Sequence, residues 1–163
     1  MEAAFLNLKG IQNVTSGYSG GSVPDPSYDA VCGGDTGHAE VISVEFDDSV
    51  ITLHDLLNVF FSVHNPTTLN QQGNDMGTQY RSVIFYTTRE ERDETMEFIE
   101  ELTRKKIFGS SIVTEVRPLE HFYPAEEYHQ NYYAKNPEAG YCSAVIAPKL
   151  TKLRGTYAHL LKS

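Results

Sequence analysis

The feature that most constrains this chain is a repeated change in the period of its apolar residues. In AEVISVEFD, residues 39–47, Ile42, Val44 and Phe46 alternate with Ser43 and Glu45, the period of two that belongs to a half-buried strand. A few residues later ITLHDLLNVFFSVHN (51–65) places Leu53, Leu56, Leu57, Phe60 and His64 on one helical face. There Thr52 and Asp55 have the spacing of a capping box. The switch recurs from YRSVIFYTT (80–88), a strand, to REERDETMEFIEELTRKK (89–106), a helix opened by Thr88 and Glu91, acidic at its start and basic at its end. Strands alternating with helices, without repeats or a linker, predict one α/β or α+β domain over 1–163, with short strands in one mixed sheet and helices packed on it.

The remaining segments fill in this scheme. MEAAFLNLKG (1–10) carries a helical stripe of Met1, Ala4, Phe5 and Leu8 stopped by Gly10, and no capping residue stands before it. IQNVTSG (11–17) and SIVTEVRP (111–118) read as strands, and YSGGSVPDPSY (18–28) as a turn-rich loop. PAEEYHQNYYAKN (124–136) reads as a helix with Pro124 just before its start. Beyond Pro137 no period is evident, so the predicted core is about 1–136, followed by an irregular tail at 137–163.

Charge and cysteine usage exclude several function classes. A formal charge of −9 argues against general affinity for nucleic acid or anionic membrane. The two cysteines, Cys32 and Cys142, make neither a disulfide scaffold nor a CxxC pattern, so a reducing, cytoplasmic setting is expected; the chain is expected to be a monomer. The six histidines form no HExxH-like ligand set, and a metal site is not expected. Tyr123, Tyr128, Tyr132 and Tyr133 read as packing residues rather than a stacking platform for bases.

Three stretches hold candidate chemistry. GGDTGHAEV (33–41) delivers His38 and Glu40 to the mouth of a strand; Glu40 is either a solvent-facing charge or a held carboxyl. QGNDMGTQYRS (72–82) puts Asp75 and Tyr80 on a loop entering a strand, where the alternative is an Asx turn at Asn74 and Asp75 with Tyr80 packing. Tyr28, after the proline-containing loop, has the same two readings. Cys142 in NPEAGYCSAV (136–145) is either a small buried hydrophobe or a thiol on a mobile segment, whereas Cys32 in YDAVCGG reads as a packing residue.

Taken in order, VTSGYSGG, PSYDAVCGGDTGHAEV, HNPTTLNQQGNDMGTQYRSVIFY, FYPAEEYHQNYY and NPEAGYC resemble the A-type peptide methionine sulfoxide reductases, from residue 1 to about Cys142. The resemblance implies an α+β roll around a ferredoxin-like core. It implies thiol-dependent reduction of methionine-S-sulfoxide, free or in proteins, with a sulfenic acid and then an intramolecular disulfide. The reductant would be thioredoxin or dithiothreitol, with no bound cofactor. Carried over by position, Glu40 is the acid that protonates the sulfoxide oxygen, which requires it to be buried. Tyr28 and Tyr80 bind the same oxygen, Asp75 organises the pocket, and Cys142 is the resolving cysteine.

The chain departs from the family in one respect. The usual GCFW motif, whose Cys is the nucleophile, occurs nowhere in it, and there is no Trp. The resemblance places that motif just before Met1, after a first core strand, with the helix of MEAAFLNLKG beginning at the nucleophile. The expectation is therefore a sequence record shortened at its N-terminus, for which a selenocysteine codon read as stop is one cause, and a chain inactive as written. The alternative is a non-catalytic sulfoxide-binding protein. Fusion to a B-type reductase is left open.

Overall fold

In the computed structural model, which describes residues 1–163, the elements in chain order are α1 (Glu2–Leu6), β1 (Ile11–Ser19), α2 (Tyr28–Cys32), β2 (Ala39–Phe46), α3 (Leu53–Val63), β3 (Gln71–Gln72) and β4 (Asp75–Met76). They continue with β5 (Val83–Tyr86), α4 (Arg89–Arg104), β6 (Glu115–Pro118), β7 (Phe122–Pro124), α5 (Tyr132–Lys135) and α6 (Ala147–Thr156). The strands expected in one sheet divide among three: β2-β1-β7, the hairpin β3-β4 and the pair β5-β6. The chain forms two compact units, one of Met1–Gly17, Ile42–His64 and Pro124–Ser163, the other of Tyr18–Val41 and Asn65–Tyr123.

The first unit is organised by α3. Thr52 Oγ1 accepts the Asp55 N–H at 3.1 Å while Asp55 Oδ2 accepts the Thr52 N–H at 3.2 Å, so the predicted capping box is complete. The core-facing residues of α3 are Leu56, Val59 and Val63, with Phe60 beside them; Leu53 stays half-buried. They pack with Ala4 and Phe5 of α1, with Leu8 between α1 and β1, with Ile11 and Val14 of β1, and with Ile51. Ile42, Val44 and Phe46, the predicted inner face of β2, lie against this cluster. Gly10, at φ +81°, ends the α1 segment where a Cβ would come within 2.9 Å of Ile51 Cγ2.

Two expectations for the C-terminal third fail. The tail at 137–163 is not irregular: a π-helical turn, Cys142–Ile146, runs into α6, and Leu150 and Leu153 of α6 belong to the core. Polar Lys149, Thr151, Lys152 and Arg154 surround those two leucines and hide the period, and tertiary contact with α1 and α3 stabilises what local pattern does not. Lys152 Nζ donates to the Ser62 carbonyl at 2.7 Å, and the Tyr157 and Ser62 hydroxyls hydrogen-bond at 2.9 Å.

The helix predicted over 124–136 is broken into β7, a short 3-10 turn at Glu127–His129, and α5. Its Gln130 acts instead as a lateral partner for β1: Oε1 accepts the Ser16 N–H at 2.9 Å and Nε2 donates to the Ser16 carbonyl at 2.8 Å. The amide thus reproduces the donor and acceptor of a neighbouring strand. Asn131 then takes φ +54°, with its N–H bound to Glu2 Oε1 at 2.8 Å, and a continuous helix is impossible.

In the second unit β5 and β6 pair in parallel, with Val83 opposite Glu115, and α4 packs on them through buried Thr95 and Phe98. Thr88 Oγ1 accepts the Glu91 N–H at 3.1 Å, as its position predicted. The connection 66–79 folds into the antiparallel hairpin β3-β4, Gln72 opposite Asp75, turned at Gly73 with φ +57°.

Candidate functional site

The loop before α2 is shaped by one buried imidazole. His38 is 1% exposed; its Nδ1 accepts the Gly21 N–H at 2.9 Å and its Nε2 lies 2.7 Å from the Val23 carbonyl. Those partners require the neutral ring with its proton on Nε2. Residue 21 must be glycine, because a Cβ there would stand 2.3 Å from the Thr36 carbonyl oxygen and 2.4 Å from the His38 nitrogen. The loop so held ends at Ser27, whose Oγ accepts the Ala30 N–H at 3.1 Å and starts α2 with Tyr28 as its first residue.

His38 also stands just before β2, where Ala39 is fully buried and Glu40 follows. Asp75 opens β4, and Tyr80 closes the 3-10 turn Thr78–Tyr80. Arg81 ties these segments together. Its Nη2 donates to the Gly37 carbonyl and its Nη1 to the Thr78 carbonyl, both at 2.9 Å, while Nε meets Glu115 Oε2 at 3.3 Å.

The electrostatics place Tyr28, Glu40, Asp75 and Tyr80 in one cluster. Glu40 is raised to about 7, first by loss of solvation and then by the charge of Asp75. Tyr80 is pushed up to about 12, first by desolvation and then by the charges of Glu40 and Asp75. Tyr28 is raised further, chiefly by its hydrogen bond to Cys32, with Tyr80 and Glu40 contributing. At neutral pH the cluster therefore offers two phenolic O–H donors and a carboxyl close to half protonation.

The expectation of a buried Glu40 needs correction: by surface area the residue is exposed. Area records whether water touches a group, whereas solvation depends on how much water surrounds it. Protein atoms around the carboxyl remove much of that shell, and the proton affinity follows solvation. Cys32 is corrected as well, being exposed rather than packed. A five-residue helix has too little periodicity to show which side its last residue faces.

Four of the five residues predicted for the site thus come together in the second unit. Cys142 belongs to the first unit, where it is fully buried. Sequence reasoning passed over Cys32, Gln79 and Arg81, although Cys32 stands one helical turn after Tyr28 and Gln79 and Arg81 flank Tyr80. No group of three or more His, Cys, Asp or Glu side chains is arranged to hold a metal ion.

This arrangement can receive an oxygen that is gaining negative charge: two hydroxyls donate to it and a carboxyl delivers a proton. The family model described as peptide methionine sulfoxide reductase matches residues 1–160. The peptide methionine sulfoxide reductase MsrA of Acinetobacter baumannii is 52% identical over 163 residues, covering 100% of this chain and 92% of the relative. That of Deinococcus radiodurans is 53% identical over 161 residues, covering 99% and 78%. Among solved structures, reduced Mxr1 from Saccharomyces cerevisiae is similar with TM-score 0.76 and 43% identity, covering 82% of this chain and 76% of that one. Mxr1 in complex with Trx2 is similar with TM-score 0.51 and 31% identity, covering 76% and 67%.

Proposed function

Because the chain belongs to the peptide methionine sulfoxide reductase family, we propose that it binds the S epimer of methionine sulfoxide with the oxygen between the Tyr28 and Tyr80 hydroxyls. The observation that carries this reading is Glu40, whose carboxyl is raised to about 7 beside Asp75 and two tyrosines that stay protonated. A sulfoxide oxygen is a strong acceptor with no proton of its own, and it becomes a leaving group only once protonated. The tyrosines orient and polarise it; Glu40 donates the proton, which loss of solvation and then like-charge repulsion from Asp75 help it to keep.

The chemistry then runs through thiols. Attack of a thiolate on the sulfoxide sulfur, with a proton delivered to the oxygen, breaks the S–O bond and yields methionine and a sulfenic acid. A second thiol condenses with the sulfenic acid, releasing water and forming a disulfide. We assign that second role to Cys142. A dithiol, thioredoxin or dithiothreitol, returns the disulfide's two thiols to the reduced state by exchange, and no bound cofactor is needed. The Trx2 complex of the yeast relative supports thioredoxin as the protein reductant. The attacking thiolate is assigned to neither Cys32 nor Cys142, since Cys142 is buried and neither lies in a GCFW motif.

The test separates binding from turnover. The 163-residue protein should bind N-acetylated methionine-S-sulfoxide more tightly than the R epimer, by titration calorimetry. With dithiothreitol it should release no methionine. Equal affinity for the two epimers would sink the binding reading, and S-specific turnover would show that Cys32 or Cys142 attacks.

A further inference from the structure

A nearly buried guanidinium follows Tyr80 in the chain and takes no part in the proposed chemistry. The Arg81 side chain is 11% exposed. Its Nη2 donates to the Gly37 carbonyl and its Nη1 to the Thr78 carbonyl, both at 2.9 Å, and Nε donates to Glu115 Oε2 at 3.3 Å. A fourth segment closes over it. Gly20 has φ +93°, and a Cβ there would stand 3.0 Å from Nη2 and 2.6 Å from the Phe85 ring.

The two carbonyls belong to the two segments that carry the proposed proton donors. Gly37 is followed by buried His38 and Ala39, so its carbonyl stands three residues before Glu40, at the mouth of β2. Thr78 opens the 3-10 turn that Tyr80 closes, and its carbonyl also accepts the Arg81 N–H at 3.2 Å. Glu115 is itself fixed, because its N–H is bound to the Ser82 carbonyl at 3.0 Å and Arg117 lies 4.0 Å from its carboxylate. A guanidinium reaches two carbonyls and a carboxylate at once because its five N–H groups diverge in one plane. An ammonium on a flexible stem is a point donor and cannot hold the same three at fixed spacing.

We infer that Arg81 is a positioning residue for proton delivery, its guanidinium setting the spacing between the mouth of β2, which carries Glu40, and the turn that carries Tyr80. This rests on the reading of Glu40 and Tyr80 as donors to the sulfoxide oxygen. The groups that act on Glu40, Tyr28 and Tyr80 by charge are Asp75, Cys32 and one another, whereas Arg81 acts by holding backbone. A merely structural role for the same side chain would alter stability and leave the relation between the two donors as it is.

Arg81→Lys keeps the charge and loses the fork. Calorimetry with N-acetylated methionine-S-sulfoxide and its R epimer, from about pH 5 to about pH 9, should show S-epimer affinity about tenfold weaker at neutral pH and the S preference reduced to match. The midpoint of the pH profile should move down from about 7 toward 4.5, because a freed β2 mouth admits water to Glu40 and separates it from Asp75. A lower urea midpoint with S preference and pH midpoint unmoved would overturn the inference. If Arg81→Lys does not fold, Glu115→Gln decides, since it weakens one anchor of the fork at an exposed position. The S preference should then fall about threefold, and an unchanged preference overturns the inference. If the parent binds neither epimer, or both alike, the reading of the site falls. The Arg81 link is then judged from the 13Cδ titration of Glu40: a lowered midpoint in Arg81→Lys upholds the positioning, and an unmoved one refutes it.

Discussion

Truncating Leu153 to Ala tests whether the C-terminal helix is part of the core. Leu153 is 1% exposed and packs in the cluster that also contains Leu150, Phe5, Leu56 and Val59. Removing a buried leucine side chain costs its transfer free energy plus that of the cavity left behind, about 2–5 kcal/mol. Four backbone segments, from α1, β1, α3 and α6, line the site, so collapse around the missing atoms is restricted and a loss of about 3–4 kcal/mol is expected. For a chain of this size that lowers the melting temperature by about 10 °C. Urea unfolding followed by far-UV circular dichroism should show the midpoint falling with an unchanged slope. Leu69→Ala is the control: that residue is 73% exposed, and its loss should be about 0.5 kcal/mol or less. If Leu153→Ala costs no more than Leu69→Ala, α6 is not part of the core.

Other perturbations have equally definite outcomes. His64 is held down to about 4, first by burial and against a hydrogen bond to the Phe60 carbonyl, so the unfolded chain takes up its proton first as pH falls. Its contribution to stability is complete above about pH 6.5 and is lost as pH falls toward about 4. His64→Gln should flatten that part of the stability profile, and an unchanged acid limb would refute the assignment. Cys32 is exposed and Cys142 buried, so an aromatic disulfide reagent should modify one thiol rapidly and the second only in urea. Two fast thiols would contradict the burial of Cys142. Gly21→Ala should destabilise the second unit and weaken sulfoxide binding, since its Cβ meets backbone rather than a flexible side chain; parent-like melting and affinity would show that the loop relaxes freely.

What could be read from the sequence was what neighbours along the chain decide. Thr52 with Asp55, and Thr88 with Glu91, close their bonds within one turn, and the alternation of Ile42, Val44 and Phe46 needs only a partner on one side. What could not be read depended on distant partners. Gln130 leaves a helical pattern because Ser16, far off in the chain, offers its N–H and its carbonyl to the Gln130 amide. Leu150 and Leu153 become core because α1 and α3 are there to receive them. The site itself was legible only through family resemblance: a lone Glu40, Asp75 or tyrosine has an ordinary surface reading. The clustering and the raised proton affinity of Glu40 emerge when the hairpin, the turn and β2 are folded.

The most direct test of the site is the pH dependence of S-sulfoxide affinity in the parent and in Glu40→Gln, measured by calorimetry from about pH 5 to about pH 9. A protonated Glu40 donates to the sulfoxide oxygen and an ionised one repels it, so parent affinity should fall as pH rises, with a midpoint at about 7. Glu40→Gln, which carries no titrating proton, should bind with an affinity that does not change over the same range. A parent profile that is flat, or a Glu40→Gln profile that still falls near neutrality, would contradict the assignment of Glu40 as the acid of this site.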